Sequence, residues 1–186
     1  MNIKEAKQQI LNAIQAYLIK DEFGDYRISI EHQRPVFLLG APGIGKTAIM
    51  EQIAQETGVN LVTYSMSHHT RESALGLPVI VHRNYTGADV QISEYTMSEI
   101  VATLYDTIEA TGIKEGILFL DEISAASQSV QAAAYQITLD RVIGEHKLPD
   151  NCIVIAAGNR TTDKSVAYKM PKALANRLMH IEIVDS

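Results

Sequence analysis

Apolar positions along the chain follow two different periods. From Ile3 to Lys20, the residues Ile3, Ile10, Ile14, Tyr17 and Leu18 recur at mostly helical spacings among Lys, Gln and Asn. This predicts an amphipathic helix laid against another surface. Asp21-Glu22-Phe23-Gly24-Asp25 interrupts it, and a short strand or extended piece is expected over Tyr26–Ile30 before a turn at Glu31-His32-Gln33-Arg34. Three compact apolar runs, Pro35–Leu39, Ile117–Leu120 and Ile153–Ala157, have the character of strands buried on both faces. Pro35 stands at the first position of its run, where a missing N–H does least harm.

Helical patterns recur over Thr47–Thr57, Met97–Thr111, Ser127–Leu139 and Pro171–Leu178. Gly58 and Gly112 follow the first two as C-terminal stops, and Pro171 suits a first turn. Asn60–Ser65 and Met179–Val184 alternate as strands. Gly76–Ile92 reads as a hairpin about the turn-rich tip Asn84-Tyr85-Thr86-Gly87, and Arg141–Leu148 as a smaller hairpin about Gly144. Strands alternating with helices imply right-handed crossovers and a mainly parallel sheet, an α/β class.

Composition narrows the setting. The 186 residues are 46% hydrophobic and 20% charged, ordinary for one soluble globular domain. The net charge of -6 and pI near 5.5 carry no electrostatic footprint for tight nucleic-acid binding. One cysteine, Cys152, precludes an intramolecular disulfide and a Cys-based zinc site, and it reads as a small buried thiol. No apolar stretch approaches ~18 residues and no signal-peptide layout opens the chain, so the expected address is the cytoplasm, with no membrane partner.

The chemistry concentrates in a few places. Gly40-Ala41-Pro42-Gly43-Ile44-Gly45-Lys46-Thr47 fits G-x-x-x-x-G-K-[ST] at every fixed position, between a buried strand and the Thr47–Thr57 helix, with Ala48 counted among the residues that bind the nucleotide. Glycines let successive backbone N–H groups turn toward phosphate oxygens, and the helix directs its positive end at the anion. Lys46 is expected on the β- and γ-phosphates and Thr47 on Mg²⁺. Asp121 and Glu122 close the Ile117–Leu120 strand, at the edge where ligands gather in open α/β sheets. Asp121 suits the Mg²⁺ water shell and Glu122 a general base, although an acidic helix N-cap is the ordinary alternative.

Asn159 closes the Ile153–Ala157 strand. If that strand lies between the other two, its amide can reach both the γ-phosphate and the attacking water; a turn-forming Gly-Asn is the plain alternative. Arg177 can stabilise transition-state charge in cis or in a neighbour's site, against an ordinary surface ion pair, with Arg160 a weaker candidate. His68 and His69, adjacent on an extended segment, point to opposite sides and read as solvated loop residues.

The order of these pieces resembles the AAA+ ATPases, most of all their MoxR and dynein-related branch. The resemblance covers roughly Arg34 to Val184. It rests on Gly40–Thr47, Leu75-Gly76-Leu77-Pro78, Leu118-Phe119-Leu120-Asp121-Glu122, Ala157-Gly158-Asn159-Arg160 and Leu174-Ala175-Asn176-Arg177. It implies a P-loop three-layer αβα sandwich, with 1–33 a lead-in packed on a nucleotide-binding core of 34–186. Lys46, Thr47, Asp121 and Glu122 would be the Walker residues, Asn159 the first sensor and Arg177 an arginine finger inserted into the next subunit.

The same likeness implies ATP and Mg²⁺ as ligands and, when a helical lid is present, a ring of identical chains that in this branch is often hexameric. It also implies a protein client reached by both hairpins, and a partner carrying a von Willebrand factor A domain. Such proteins continue into a helical lid bearing a second sensor arginine, whereas this sequence stops at Ser186. The rivals are a DNA-directed loader or translocase and a nucleotide-sensing module with little turnover; a guanine signature is missing. Arg27–Ile30 is the expected wall for adenine.

Overall fold

The computed structural model describes residues 1–159 and 172–184. Five strands form one parallel sheet: β1 (Val36–Leu39), β2 (Asn60–Ser65), β5 (Gly116–Asp121), β8 (Cys152–Gly158) and β9 (Met179–Glu182), in the order β2-β5-β8-β1-β9. The sequence condition on Asn159 is met, since β8 lies between β5 and β1. Two antiparallel hairpins stand outside the sheet: β3 (Pro78–Tyr85) with β4 (Ala88–Tyr95), and β6 (Val142–Ile143) with β7 (His146–Lys147).

The buried runs split by residue parity between two cores. Leu118 and Leu120 of β5, and Cys152, Val154 and Ala156 of β8, face a cluster with Ile100 and Leu104 of α4 (Glu99–Thr111) and Val130 and Ile137 of α5 (Gln128–Asp140). The alternate residues Ile117, Phe119, Ile153 and Ile155 face Ile10 and Ile14 of α1 (Ile3–Leu18) and Ile49, Met50 and Ile53 of α2 (Lys46–Thr57). Apolar runs without alternation are what a sheet covered on both faces requires. The result is a helix–sheet–helix sandwich, the P-loop NTPase α/β fold.

Element ends follow local chemistry. Asn2 and Glu5 form a reciprocal capping box on α1, each side chain bonded to the other's backbone N–H at 2.9 Å. Ser98 caps α4 and Ser127 caps α5. Gly58 and Gly112 close α2 and α4 in the left-handed region, as expected.

Two expectations need correction. Tyr26–Ile30 is not a strand: only Tyr26 bridges, to Lys20, and Ile30–His32 is a 3₁₀ turn. Asp21 gathers the preceding loop by accepting from the backbone N–H groups of Phe23 and Asp25, and the Ser29 hydroxyl bonds the His32 ring at 2.6 Å. These local bonds outcompete extension. The large hairpin also runs to Tyr95 rather than stopping at Ile92. Near the C-terminus, helix α6 is described over Lys172–Ala175; Pro171 and Arg160 lie outside the described residues.

The large hairpin is anchored at its base by α3 (Arg71–Leu75) and Gly76. Gly76 has φ +93°, and a Cβ there would sit 2.1 Å from the Thr96 carbonyl oxygen. Leu77 N–H donates to the Thr96 hydroxyl at 2.9 Å, and Thr96 N–H returns a bond to the Leu77 carbonyl at 2.9 Å. Gly76→Ala is therefore expected to lower stability by roughly 2–4 kcal/mol, from left-handed strain plus a backbone clash. Urea denaturation checks this, and a loss under about 0.5 kcal/mol would contradict the close approach.

Candidate nucleotide site

Parallel register brings four strand ends level. Ser65 pairs with Asp121, Leu120 with Ala156, and Leu39 with Gly158. The residues that follow, Gly40, Glu122 and Asn159, therefore emerge side by side at the C-terminal edge of the sheet. Adjacent strands lie ~4.8 Å apart, so the whole row fits within the length of a triphosphate and its attacking water.

Gly40–Thr47 wraps from β1 into α2. Gly43 and Gly45 have φ of +75° and +95°, which suits residues lacking a Cβ. The first turn of α2 holds no acidic residue, and Gly45 offers no side-chain cap, so that end stays electropositive. Lys46 is buried, with Nζ donating to the carbonyls of Gly40 and Ala41 at 3.0 Å each. The ammonium is thereby kept inside the loop.

Thr47 Oγ1 donates to Asp121 Oδ2 at 3.3 Å, while Asp121 Oδ1 accepts from Glu122 N–H at 2.8 Å. A hydroxyl and a carboxylate converge on one spot beside the loop. That donor set fits Mg²⁺, which takes few protein oxygens and keeps waters and phosphate oxygens as its other ligands. Among the described residues no cluster of three or more His, Cys, Asp or Glu side chains is present, so no metal cage competes with this reading.

Glu122 has φ +56°, a left-handed conformation uncommon outside glycine. Its carboxylate accepts from the hydroxyls of Ser65, at 2.6 Å, and Ser67. These bonds hold its pKa below the ordinary 4.5; partial burial opposes them, and His68 and Lys46 assist. His69 packs edge-on against Tyr64, with ring centroids 5.0 Å apart, and bonds Ser73.

Sequence reasoning missed Ser65, Ser67 and Ser124. Ser124 bonds the backbone of Asn159, whose N–H donates to its hydroxyl at 3.0 Å. A lone serine beside a turn carries no signal of such a partner.

Arg177 does not join this row. It precedes β9, which pairs in parallel with β1 from Val36↔Met179 onward, so it lies beyond the opposite, N-terminal edge of the sheet. There it lines a cleft of about 570 Å³ with Arg34, Asp140 and Arg141. Burial pushes the Arg141 guanidinium below its ordinary pKa. Ile30 lines the same cleft, and Tyr26 bonds Asn151 just before β8. The expected adenine wall at Arg27–Ile30 thus lies at the wrong end of the sheet. The loop is flanked instead by Ile183, whose Cβ would lie 3.4 Å from a Cβ on Gly40, and by Val184, whose N–H donates to the Met1 carbonyl at 2.9 Å.

A parallel sheet carrying a phosphate-type loop and an acidic strand end defines a nucleotide-binding P-loop domain. Residues 36–185 match the AAA family, the ATPase family associated with various cellular activities, and the chain belongs to it. Midasin of Giardia intestinalis is 24% identical over 163 residues, which are 83% of this chain and 3% of that protein. The crystal structure of a proposed ATPase from Cytophaga hutchinsonii superposes with a TM-score of 0.50 at 16% identity, over 97% of this chain and 51% of that one, a likeness of fold alone. This chain thus spans a small part of the one relative and about half of the other. Among the described residues, no helix is long and apolar enough to cross a membrane.

Removing the Ser67 hydroxyl takes one donor from the Glu122 carboxylate, so its pKa is expected to rise toward the ordinary value. In Ser67→Ala the acid limb of the pH profile for ATP turnover should move to higher pH. An unmoved limb in Ser67→Ala and Ser65→Ala alike would show that these bonds do not set the basicity of Glu122.

Proposed function

We propose that this chain is the Mg²⁺-dependent, ATP-hydrolysing core of an AAA+ remodelling ATPase of the MoxR and dynein-related branch. Residues 34–186 form the core and 1–33 the lead-in. The carrying observation is the level row of Gly40–Thr47, Asp121-Glu122 and Asn159 along one sheet edge.

In this reading the backbone of Gly40, Ala41, Pro42, Gly43, Ile44, Gly45, Lys46, Thr47 and Ala48 cradles ATP, and Lys46 leaves its carbonyl partners for the β- and γ-phosphates. Thr47 and Asp121 would hold Mg²⁺ and its water shell, and an ion held there would supply positive charge against the phosphates. Glu122 accepts a proton from water as the water oxygen bonds to the γ-phosphorus. The bond from that phosphorus to the bridging oxygen breaks, and ADP leaves. Asn159 orients the same water and the γ-phosphate. The base rests near Val184 and Met1.

Arg177 supports a role in trans. With its own loop at the far end of β1, a strand of four residues or ~13 Å, it has no short path to its own nucleotide. A neighbouring copy in a ring would supply one. The exposed hairpin β3–β4, carrying Val79, Ile80, Tyr85 and Tyr95 at its surface, supports a protein client, with a von Willebrand factor A partner as the family precedent. The net charge of -6 favours a protein over DNA, and a cytoplasmic setting is part of the reading.

The test compares ATP binding and turnover, across protein concentrations, for wild type, Lys46→Ala, Glu122→Gln and Arg177→Ala. Lys46→Ala is expected to lose ATP affinity. Glu122→Gln should bind ATP yet turn it over ~10²–10⁴-fold more slowly. Arg177→Ala should lose the concentration-dependent part of turnover, an effect of ~10³–10⁵ for a finger that acts fully. Normal turnover in Glu122→Gln would sink the assigned base, and turnover indifferent to both concentration and Arg177 would remove the finger.

A further inference from the structure

Ser124 is the side chain through which the turn after Glu122 touches the end of β8. Its Oγ accepts from Asn159 N–H at 3.0 Å and lies 3.4 Å from the Asn159 carbonyl oxygen, to which it donates. A Cβ on Gly158 would sit 2.6 Å from the same Oγ, so glycine at 158 leaves the space the hydroxyl fills. On its other side the turn Ile123–Ala125 is pinned to α5. Gln131, 2% exposed, donates through Nε2 to the carbonyls of Ser124 and Ala126 at 3.4 and 3.0 Å. The Gly158 carbonyl accepts from Gly40 N–H at 3.2 Å, which ties the same strand end to the phosphate loop.

The strand geometry explains why a hydroxyl is needed there. The paired register of β5 with β8 ends at Leu120↔Ala156, and Glu122 then turns β5 away through its left-handed conformation. Beyond that point the ladder of β5 offers no pairing to Asn159. The Ser124 hydroxyl, able to accept and donate at once, stands in for the missing strand.

We infer that Ser124 is a positioning residue for hydrolysis, its hydroxyl setting the separation between Glu122 and Asn159. The inference rests on the reading above, in which those two side chains meet one water at the γ-phosphate. Ser124 touches neither water nor nucleotide. It acts by holding the backbone of Asn159 against the turn that carries Glu122, with Gln131 as the brace behind it. Because reaction rate is steep in geometry, a displacement of ~1 Å at Asn159 is worth on the order of 10²-fold in turnover. ATP affinity resides in the loop and is left intact.

The experiment uses the full chain and compares Ser124→Ala, Asn159→Ala, the double variant, Gly158→Ala and Ser124→Thr. Ser124→Ala is expected to lower kcat by about 10- to 100-fold while ATP affinity stays within about 3-fold of wild type. The double variant should be no slower than Asn159→Ala alone, since Ser124 works through Asn159. Gly158→Ala, which displaces the hydroxyl instead of deleting it, should copy Ser124→Ala, and Ser124→Thr should restore kcat. Independently of turnover, amide hydrogen exchange at Asn159 should quicken in Ser124→Ala.

If Ser124→Ala is too unstable to assay, Gly158→Ala and Ser124→Thr carry the same comparison. Turnover in Ser124→Ala within about 2-fold of wild type, or losses that multiply in the double variant, overturns the positioning role. Unchanged exchange at Asn159 overturns it as well. Full turnover in Glu122→Gln and Asn159→Ala would instead overturn the functional reading beneath it.

Discussion

Everything at the nucleotide edge depends on the parallel register of β1, β2, β5 and β8. Ser65 opposite Asp121 and Leu39 opposite Gly158 bring the strand ends to one level, and each chain leaves the sheet with its next residue already in the site. A slip of one residue in any strand would turn its side chains to the opposite face of the sheet. Register is guarded because every second side chain of β5 and β8 belongs to a different core. Ile117 and Phe119 are committed to the α1–α2 side, Leu118 and Leu120 to the α4–α5 side. Burial on both faces, at roughly 1.5–3 kcal/mol for each large side chain, thus serves as the alignment device of the site.

On this frame the polar contacts at the edge divide the labour. Backbone bonds such as Gly40 N–H to Gly158 carbonyl hold the loop to the sheet, whereas hydroxyls hold the residues that leave it. Ser65 and Ser67 engage the Glu122 carboxylate, Thr47 engages Asp121, and Ser124 engages Asn159. Small hydroxyls suit this work because they accept and donate without adding charge beside a phosphate. The same contacts restrain reactivity, since donors on a carboxylate lower its basicity. Glu122 is accordingly held ionised and weakly basic.

How much of this was legible in the sequence depended on how local each cause is. The phosphate loop, its flanking strand and the helix after it announce themselves within one contiguous stretch, and the doubly buried runs mark β1, β5 and β8. Strand order is not local, so the position of Asn159 stayed conditional until β8 was seen between β5 and β1. Ser65 and Ser67 reach Glu122 across 57 and 55 residues, and Ser124 reaches Asn159 across 35. Tyr26, Ile28 and Ile30 imitate a strand by alternating, but Asp21 and Ser29 bond their own neighbours first. The adenine wall was assigned to the same segment because closeness in sequence to β1 says nothing about which end of β1 it approaches.

That last error exposes the polarity of the molecule. In a parallel sheet, whatever follows a strand gathers at one end and whatever precedes a strand gathers at the other. Arg34 and Arg177 precede β1 and β9 and line the cleft there, across the sheet from the phosphate loop, with Arg141 at the end of α5 beside them. A self-association that brings Arg177 to a nucleotide joins unlike ends of two copies, either head to tail, which closes as a ring or continues as a filament, or reciprocally in an antiparallel two-fold pair. A two-fold pair whose axis passes through the cleft would instead place Arg177 of one copy against Arg177 of the other, with both loops at far ends. The proposed finger and a two-fold dimer whose axis passes through the Arg177 cleft are therefore mutually exclusive on the geometry of the sheet alone.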